Sequence, residues 1–337
     1  MIFSINFIEL SLYMELEQFN QQLKNAYAQR SHIDKNTFLD ESKSSQGIGV
    51  EFHTGNKAKI KFIINPTIMM EHNISSGLWN ATEKNIKKFL KCLEEQIDTY
   101  FNYEFSLDDF KLSYIAFTVD MDFSDCDSDM ASSYIRVFHN IGKVKGFKPI
   151  SYGRNSGLEK ANAFVLLGNS NGVAFMAYNK KAKLSHYDSE PAWDKLRLKH
   201  KRKRLRFDVV LTSQNAIKKH TDEVGVRKRI LDLSRNREYT FLKTFMHIIP
   251  YGDFHKMPEA KRIVEKEIEN RTLHWKMTRL LTLIPTKKSL LAAQKDLNDR
   301  NIEKIMMEFA KINLSPVCIS RRQEMPELEN LYKHFTG

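Results

Sequence analysis

Over the first two-thirds of the chain, apolar and polar residues repeatedly alternate one by one. The clearest case is Leu205-Arg206-Phe207-Asp208-Val209-Val210-Leu211. Leu205, Phe207, Val209 and Leu211 fall on one face, and Arg206, Asp208 and Val210 on the other, which is the period of a β-strand. Ile115 to Phe123 alternates in the same way: Phe117, Val119, Met121 and Phe123 share one face, and Thr118, Asp120 and Asp122 the other. Two hairpins are predicted. Val50–His53 and Ala58–Ile64 flank Thr54-Gly55-Asn56-Lys57, and Ala163–Leu167 and Val173–Tyr178 flank Gly168-Asn169-Ser170-Asn171-Gly172.

Elsewhere the period becomes helical. Ile86, Phe89, Leu90, Leu93 and Ile97 recur at helix spacing within residues 81–100, with lysines between them. A helix is predicted from Met130 to Ile141, capped within Asp127–Asp129. Residues 1 to about 30 also read as helical, and Asp34–Gly49 as a loop. Past Leu211 the pattern is helical only, from Lys218 to Ile312, with Pro250, Pro258 and Pro285 punctuating successive helices. The expected fold is therefore α+β: a mainly antiparallel sheet flanked by helices, followed by an all-α C-terminal domain. The boundaries expected are a helical segment at 1–45, an α+β domain at 46–216 and a helical domain at 217–337.

Charge narrows the class of partner. The 337 residues carry a net charge of +12, with a pI of about 9.4, which favours a polyanion. Cys92, Cys126 and Cys318 form neither a CxxC pair nor a zinc spacing, so a reducing compartment is expected. The apolar start, Met1 to Leu10, has no basic leader and is interrupted by Asn6 and Glu9. No apolar stretch is long enough to span a bilayer, and the expected location is the cytoplasm, with no membrane partner.

Three groups of residues carry candidate chemistry. Asp120, Asp122 and Asp208 sit within otherwise apolar strands, where a buried carboxylate is paired or binds metal. They are candidate ligands for a divalent cation that polarises a phosphodiester. The competing reading is an ion-pair network, with Asp208 bound to Arg206 or to a lysine of the sheet. Tyr178 and Lys180 point the same way on their strand. An ammonium beside a phenol lowers its pKa and steadies its oxyanion, as a tyrosine nucleophile on phosphorus requires. Tyr134, Tyr152 and Tyr187 remain alternatives, and an ordinary edge tyrosine is the bland reading. Finally, Lys195, Arg197, Lys199, Lys201, Arg202, Lys203, Arg204 and Arg206 fall within twelve residues that hold no acid. Such a block repels itself unless phosphates screen it, and it would grip a nucleic-acid backbone without reading bases. His-hydrophobic-His, Walker A, GxGxxG and Gly-x-Ser-x-Gly motifs do not occur, which leaves nucleotide-driven motors, Rossmann dehydrogenases and α/β-hydrolases without support.

Four segments, in order, resemble the rolling-circle replication initiators of the filamentous-phage gene II/X type, found in phages and plasmids. They are Lys61-Phe62-Ile63-Ile64-Asn65-Pro66-Thr67, Phe117-Thr118-Val119-Asp120-Met121-Asp122, Leu167-Gly168-Asn169-Ser170 through Ala177-Tyr178-Asn179-Lys180, and Leu205–Leu211. Two further pieces, Tyr251-Gly252-Asp253-Phe254 and Ile312-Asn313-Leu314-Ser315-Pro316-Val317, look similar as well. The resemblance implies a nickase-like domain over 46–216, with a tyrosine attacking one DNA strand and staying joined to its 5′ end; Tyr178 is the residue expected to do so here, with Tyr152 as the alternative. It implies Mg²⁺ or Mn²⁺ on Asp120, Asp208 and Asp122, charge stabilisation by Lys180, and DNA at a replication origin, single-stranded or supercoiled, as partner. The helical part would recognise the origin or recruit a host helicase. The family's tyrosine before Gly-x-Ser is replaced here by Val165, Leu166 and Leu167, its strand Glu by Asp208, and its acid after Tyr-x-Lys by Ala182-Lys183. The rival reading is a non-catalytic DNA-binding protein, either a degenerate initiator or a regulator. RNA is a weaker third possibility.

Overall fold

Among the described residues, strict alternation over long stretches builds a main sheet of ten antiparallel strands. The structure, a computed structural model, describes residues 1–27, 32–34, 37–54, 58–71, 78–123, 129–150, 162–169, 171–180 and 204–336. The strands are β1 (Ser4–Tyr13), β2 (His32–Asp34), β3 (Thr37–Asp40), β4 (Ile48–His53), β5 (Lys59–Ile64), β6 (Lys111–Asp122), β7 (Phe147–Pro149), β8 (Ala163–Gly168), β9 (Val173–Asn179) and β10 (Arg204–Leu211). Their spatial order is β2-β3-β4-β5-β1-β6-β10-β9-β8-β7. Both predicted hairpins form, as β4–β5 and β8–β9. Gly172, at φ +64, closes the second: a Cβ there would lie 2.4 Å from the Ser213 hydroxyl, so only glycine fits.

The N-terminus departs from expectation. The helix predicted over residues 1–30 is confined to α1 (Leu16–Tyr27), and Ser4–Tyr13 is a central strand between β5 and β6. Ile5, Ile8 and Leu12 fit helical spacing, but Ile8, Leu10 and Leu12 fit alternation equally well, and a short apolar run is ambiguous between the two. Pairing on both edges settles the choice: Leu10 lies opposite Phe62 on one side and Leu112 on the other.

One face of the sheet carries the main core. Ile8, Phe52, Phe62, Phe117, Val119, Phe207 and Phe175 are all buried there against helices. On that side lie α3 (Glu83–Tyr100), capped by the Thr82 hydroxyl, and α4 (Met130–Ile141), whose cap is Asp129 accepting from the Ser132 N–H. Another helix, α2 (Pro66–Glu71), begins at the Asn65-Pro66 pair; the Asn65 side chain accepts from the Ile68 N–H, and Ile68 lies against Ile63 and Phe7 on the other face.

After β10 come α5 (Gln214–Lys218), α6 (Val226–Arg235), α7 (Arg237–Ile248), α8 (Met257–Glu267), α9 (Arg271–Lys287), α10 (Leu290–Leu297) and α11 (Ile302–Lys311). Pro258 sits in the first turn of α8, but Pro285 lies inside α9, near its end, rather than between helices. The core is continuous across residue 216: the Phe245 ring of α7 meets Phe207 at 5.3 Å and Phe175 at 6.1 Å. A two-stranded ladder, β11 (Phe254–His255) with β12 (Glu327–Leu328), joins distant parts of the helical half. Beside it the Asp253 carboxylate accepts from the Asn330 N–H and the Asn313 amide, each at 2.6 Å. Gly252 is required there, since a Cβ would lie 2.3 Å from the Leu314 backbone. The Tyr251–Phe254 and Ile312–Val317 pieces are therefore partners in one clasp. Among the described residues, no helix is long and apolar enough to cross a membrane.

A continuous core makes a joint prediction. Phe245→Ala is expected to cost about 3–5 kcal/mol and to lower a single cooperative denaturant transition. Urea unfolding followed by near-UV and far-UV circular dichroism checks this, and separate transitions from the two signals would contradict it.

Candidate active site

Register decides which side chains meet. In the β6–β10 pair, Asp122 faces Arg204, Asp120 faces Arg206 and Thr118 faces Asp208; in the β10–β9 pair, Arg206 faces Tyr178 and Asp208 faces Met176. Alternation then puts Thr118, Asp120, Asp122, Arg204, Arg206, Asp208, Tyr178 and Lys180 on one face, opposite the main core. The three acids, Tyr178 and Lys180 picked from sequence do converge there.

Their partners are specific. Arg206 grips Asp120 with two parallel hydrogen bonds, Nε to Oδ1 at 2.5 Å and Nη2 to Oδ2 at 2.7 Å. Lys180 Nζ and Arg204 Nη1 stand 3.6 and 3.7 Å from the same carboxylate, and Arg204 Nε donates to Asp122 at 3.2 Å. Asp208 is held separately: the Thr118 hydroxyl donates to Oδ1 at 2.6 Å and the Tyr178 hydroxyl to Oδ2 at 2.8 Å. Arg206, Asp208 and Tyr178 are 2%, 4% and 6% exposed, so these bonds form in low dielectric, where they are strong and where breaking them is costly.

The same contacts set the protonation states. Burial alone would raise the Asp120 pKa, but Arg206, with Lys180 and Arg204, outweighs it and holds the carboxyl at about 2. Burial opposes the Arg206 charge, and Asp120 more than restores it. Burial and then the Asp208 charge push the Tyr178 phenol well up, with Arg206 pulling the other way. The phenol therefore keeps its proton and presents it to Asp208. Tyr114, on the same side of β6, is also pushed up by burial and by the charges of Asp208 and Glu9.

A divalent cation on Asp120, Asp122 and Asp208 does not fit this arrangement. Both Asp120 oxygens are taken by Arg206, both Asp208 oxygens by hydroxyls, and Asp122 by Arg204. Three fixed cations border the position where an ion would add two more charges. Among the described residues, no group of three or more His, Cys, Asp or Glu side chains is placed to hold a metal. In this arrangement the three acids expected to hold Mg²⁺ or Mn²⁺ are each engaged by a cation or by hydroxyls. Arg206, expected to neutralise Asp208 or to touch phosphate, instead holds Asp120.

Other expectations resolve differently. Lys195, Arg197, Lys199, Lys201, Arg202 and Lys203 lie outside the described residues, as do Tyr152 and Tyr187. Arg204 lies on the sheet. A cavity of about 340 Å³ opens beside it, lined also by Asp120, Asp122, Met1, Ile2 and His334. Tyr134 is buried in the core and donates to the Glu329 carbonyl. Asn179 faces away from Tyr178 and donates to the Ser132 hydroxyl and Asp129 at the start of α4. Thr118 was placed on the right face by alternation but assigned no part, because its partnership with Asp208 depends on strand pairing.

No family model matches the chain, and no curated protein matches it. Among solved structures, a rolling circle replication initiator protein from Geobacillus stearothermophilus is similar at a TM-score of 0.31 and 8% identity. That similarity covers 96% of this chain and 99% of that one. A likeness at that level determines neither topology nor chemistry.

The buried pair makes a pH prediction. The folded Asp120 pKa lies below its unfolded value, so the pair's contribution is whole above pH about 4 and is lost as pH falls towards 2. Arg206→Met, which removes both short bonds and leaves the buried carboxylate to Lys180 and Arg204 alone, is expected to cost about 3 kcal/mol at pH 7. The double variant Asp120→Leu/Arg206→Met should recover most of that loss. Denaturant midpoints at pH 7 and pH 3 check both statements, and equal losses in the single and double variants would contradict them.

Proposed function

We propose that this chain binds DNA and cuts and rejoins one strand through Tyr178, as a replication initiator of the rolling-circle type. The observation that carries the reading is the Tyr178 hydroxyl donating to Asp208 at 2.8 Å, with Arg206 in the next cross-strand position. That is a nucleophile on its base, the pairing a protonated phenol needs in order to attack. The net charge of +12 and the ordered sequence resemblance to gene II/X-type initiators support DNA as the substrate.

The step balances without a metal. Asp208 takes the phenolic proton as the Tyr178 oxygen forms a bond to phosphorus. The P–O3′ bond breaks, and the 3′ oxygen leaves as a hydroxyl after taking a proton from solvent. The 5′ phosphate stays on tyrosine. In reverse, a 3′ hydroxyl gives its proton to solvent as its oxygen bonds to phosphorus, and Asp208 returns its proton to the departing Tyr178 oxygen, which rejoins the strand. Lys180 and Arg204, beside the cavity at Asp120 and Asp122, offset charge on the phosphate oxygens.

A second reading, a DNA-binding protein that cuts nothing, has its own observation: Tyr178 is only 6% exposed. A supercoiled plasmid carrying the cognate origin, incubated with and without Mn²⁺, separates the two. Open circles with covalently attached protein are expected from the wild type and are abolished in Tyr178→Phe. In Asp208→Asn they should fall by about 10²–10⁴-fold, the usual worth of a general base. Salt-sensitive binding without open circles favours the second reading.

A further inference from the structure

A second site lies at the other end of the same strands. A groove of about 630 Å³ is lined by Lys145, Phe147, Asn171, Lys219, His220, Asn236, Tyr239, Lys243 and His247, among others. It gathers the turn before β7, the β8–β9 turn, the end of α5 and one side of α7. None of its described lining residues is acidic, and Lys145, Lys219 and Lys243 are exposed, with no ion pair among the described residues. Tyr239 is 66% exposed, and the Lys243 ammonium stands 5.5 Å from its ring centroid. His220 Nδ1 is bonded to the Ala216 carbonyl and His247 Nε2 to the Lys145 carbonyl, so each ring is fixed and donates from the bonded nitrogen.

We infer that this groove binds single-stranded nucleic acid, its lysines along the phosphodiester backbone and a base stacked on Tyr239. Unpaired ammoniums in a concave, acid-free setting lower their mutual repulsion when phosphates displace counterions. An exposed ring held beside one of them supplies the sequence-tolerant stacking platform of single-strand sites. A duplex offers no free base to Tyr239, which is why the single strand is favoured. Val173 lines the groove and Tyr178 lies five residues further along β9, about 17 Å away. The two sites lie on opposite faces of the sheet, so the groove is a separate contact for nucleic acid rather than an extension of the candidate active site. The inference shares its ligand class with the function proposed above but does not depend on Tyr178 chemistry.

The test is fluorescence anisotropy with a labelled fifteen-residue (about 15) oligothymidylate across a salt series, using the full chain. Tyr239→Ala is expected to weaken binding at least about five-fold. The triple variant Lys145→Ala/Lys219→Ala/Lys243→Ala should make the log–log salt slope shallower by about 2. These side chains are exposed, so unchanged thermal unfolding is expected and confirms intact folds. Wild-type affinity and slope in both variants would overturn the inference even if the plasmid assay shows nicking. Absence of any oligonucleotide binding by the wild type would overturn it together with the nucleic-acid reading. Displacement of the oligomer by thymidine monophosphate at comparable concentration would overturn it in favour of a small-anion pocket.

Discussion

A guanidinium and a carboxylate, closed off from water in the middle of a sheet, constrain everything around them. Arg206 cannot shed its charge, and every residue of β10 is buried, so strand pairing must bring it an anion. The β6–β10 register brings Asp120, and the two parallel bonds consume both of its oxygens. A slip of one residue would turn Arg206 and Asp208 into the main core and Phe207 out of it, so the pair and the core enforce the same register. With Asp120 taken, Asp208 is left to Thr118 and Tyr178, and the face divides into a cation-bound carboxylate and a hydroxyl-bound one. The first is neutralised by cations; the second accepts hydrogen bonds from two hydroxyls.

The sheet separates this chemistry from its support. Helices from both halves of the chain pack on the core face, and the polar face keeps its charges in cross-strand sets. Beyond β1 a second set repeats the theme: Lys61 bridges Glu9 and Glu51, and His53 joins Glu51. Several short segments that stand out in the sequence serve the scaffold: Asn65 caps α2, Asn179 ties β9 to α4, and Asp253, Asn313 and Asn330 close the clasp in the helical half.

What the sequence discloses follows the range of the forces involved. Alternation is local, so β6, β10 and both hairpins are legible, as are α3 and α4 through their periodicity and caps. Ser4–Tyr13 is not, because its apolar spacing satisfies two periods and only the strands on either side choose between them. Alternation also puts Asp120 with Asp122, and Tyr178 with Lys180, on a shared strand face, but that these meet Asp208 depends on the pairing of β6, β10 and β9. Which acid Arg206 would hold was not legible, since i and i+2 neighbours along a strand look equivalent until a partner strand is in register. The groove around Tyr239 leaves no linear trace at all: its cations, Lys145, Lys219 and Lys243, come from three separate stretches of chain.

The most direct measurement of the proposed nicking is which residue, if the chain joins DNA, carries the adduct. Protein trapped on a nicked origin strand can be digested with nuclease and protease, and its nucleotide-modified peptide sequenced by mass spectrometry. A phosphotyrosyl adduct on Tyr178 is the predicted result. An adduct on Tyr152, Tyr187 or any other residue would contradict the account, because the phenol that rests on Asp208 would then not be the one that attacks.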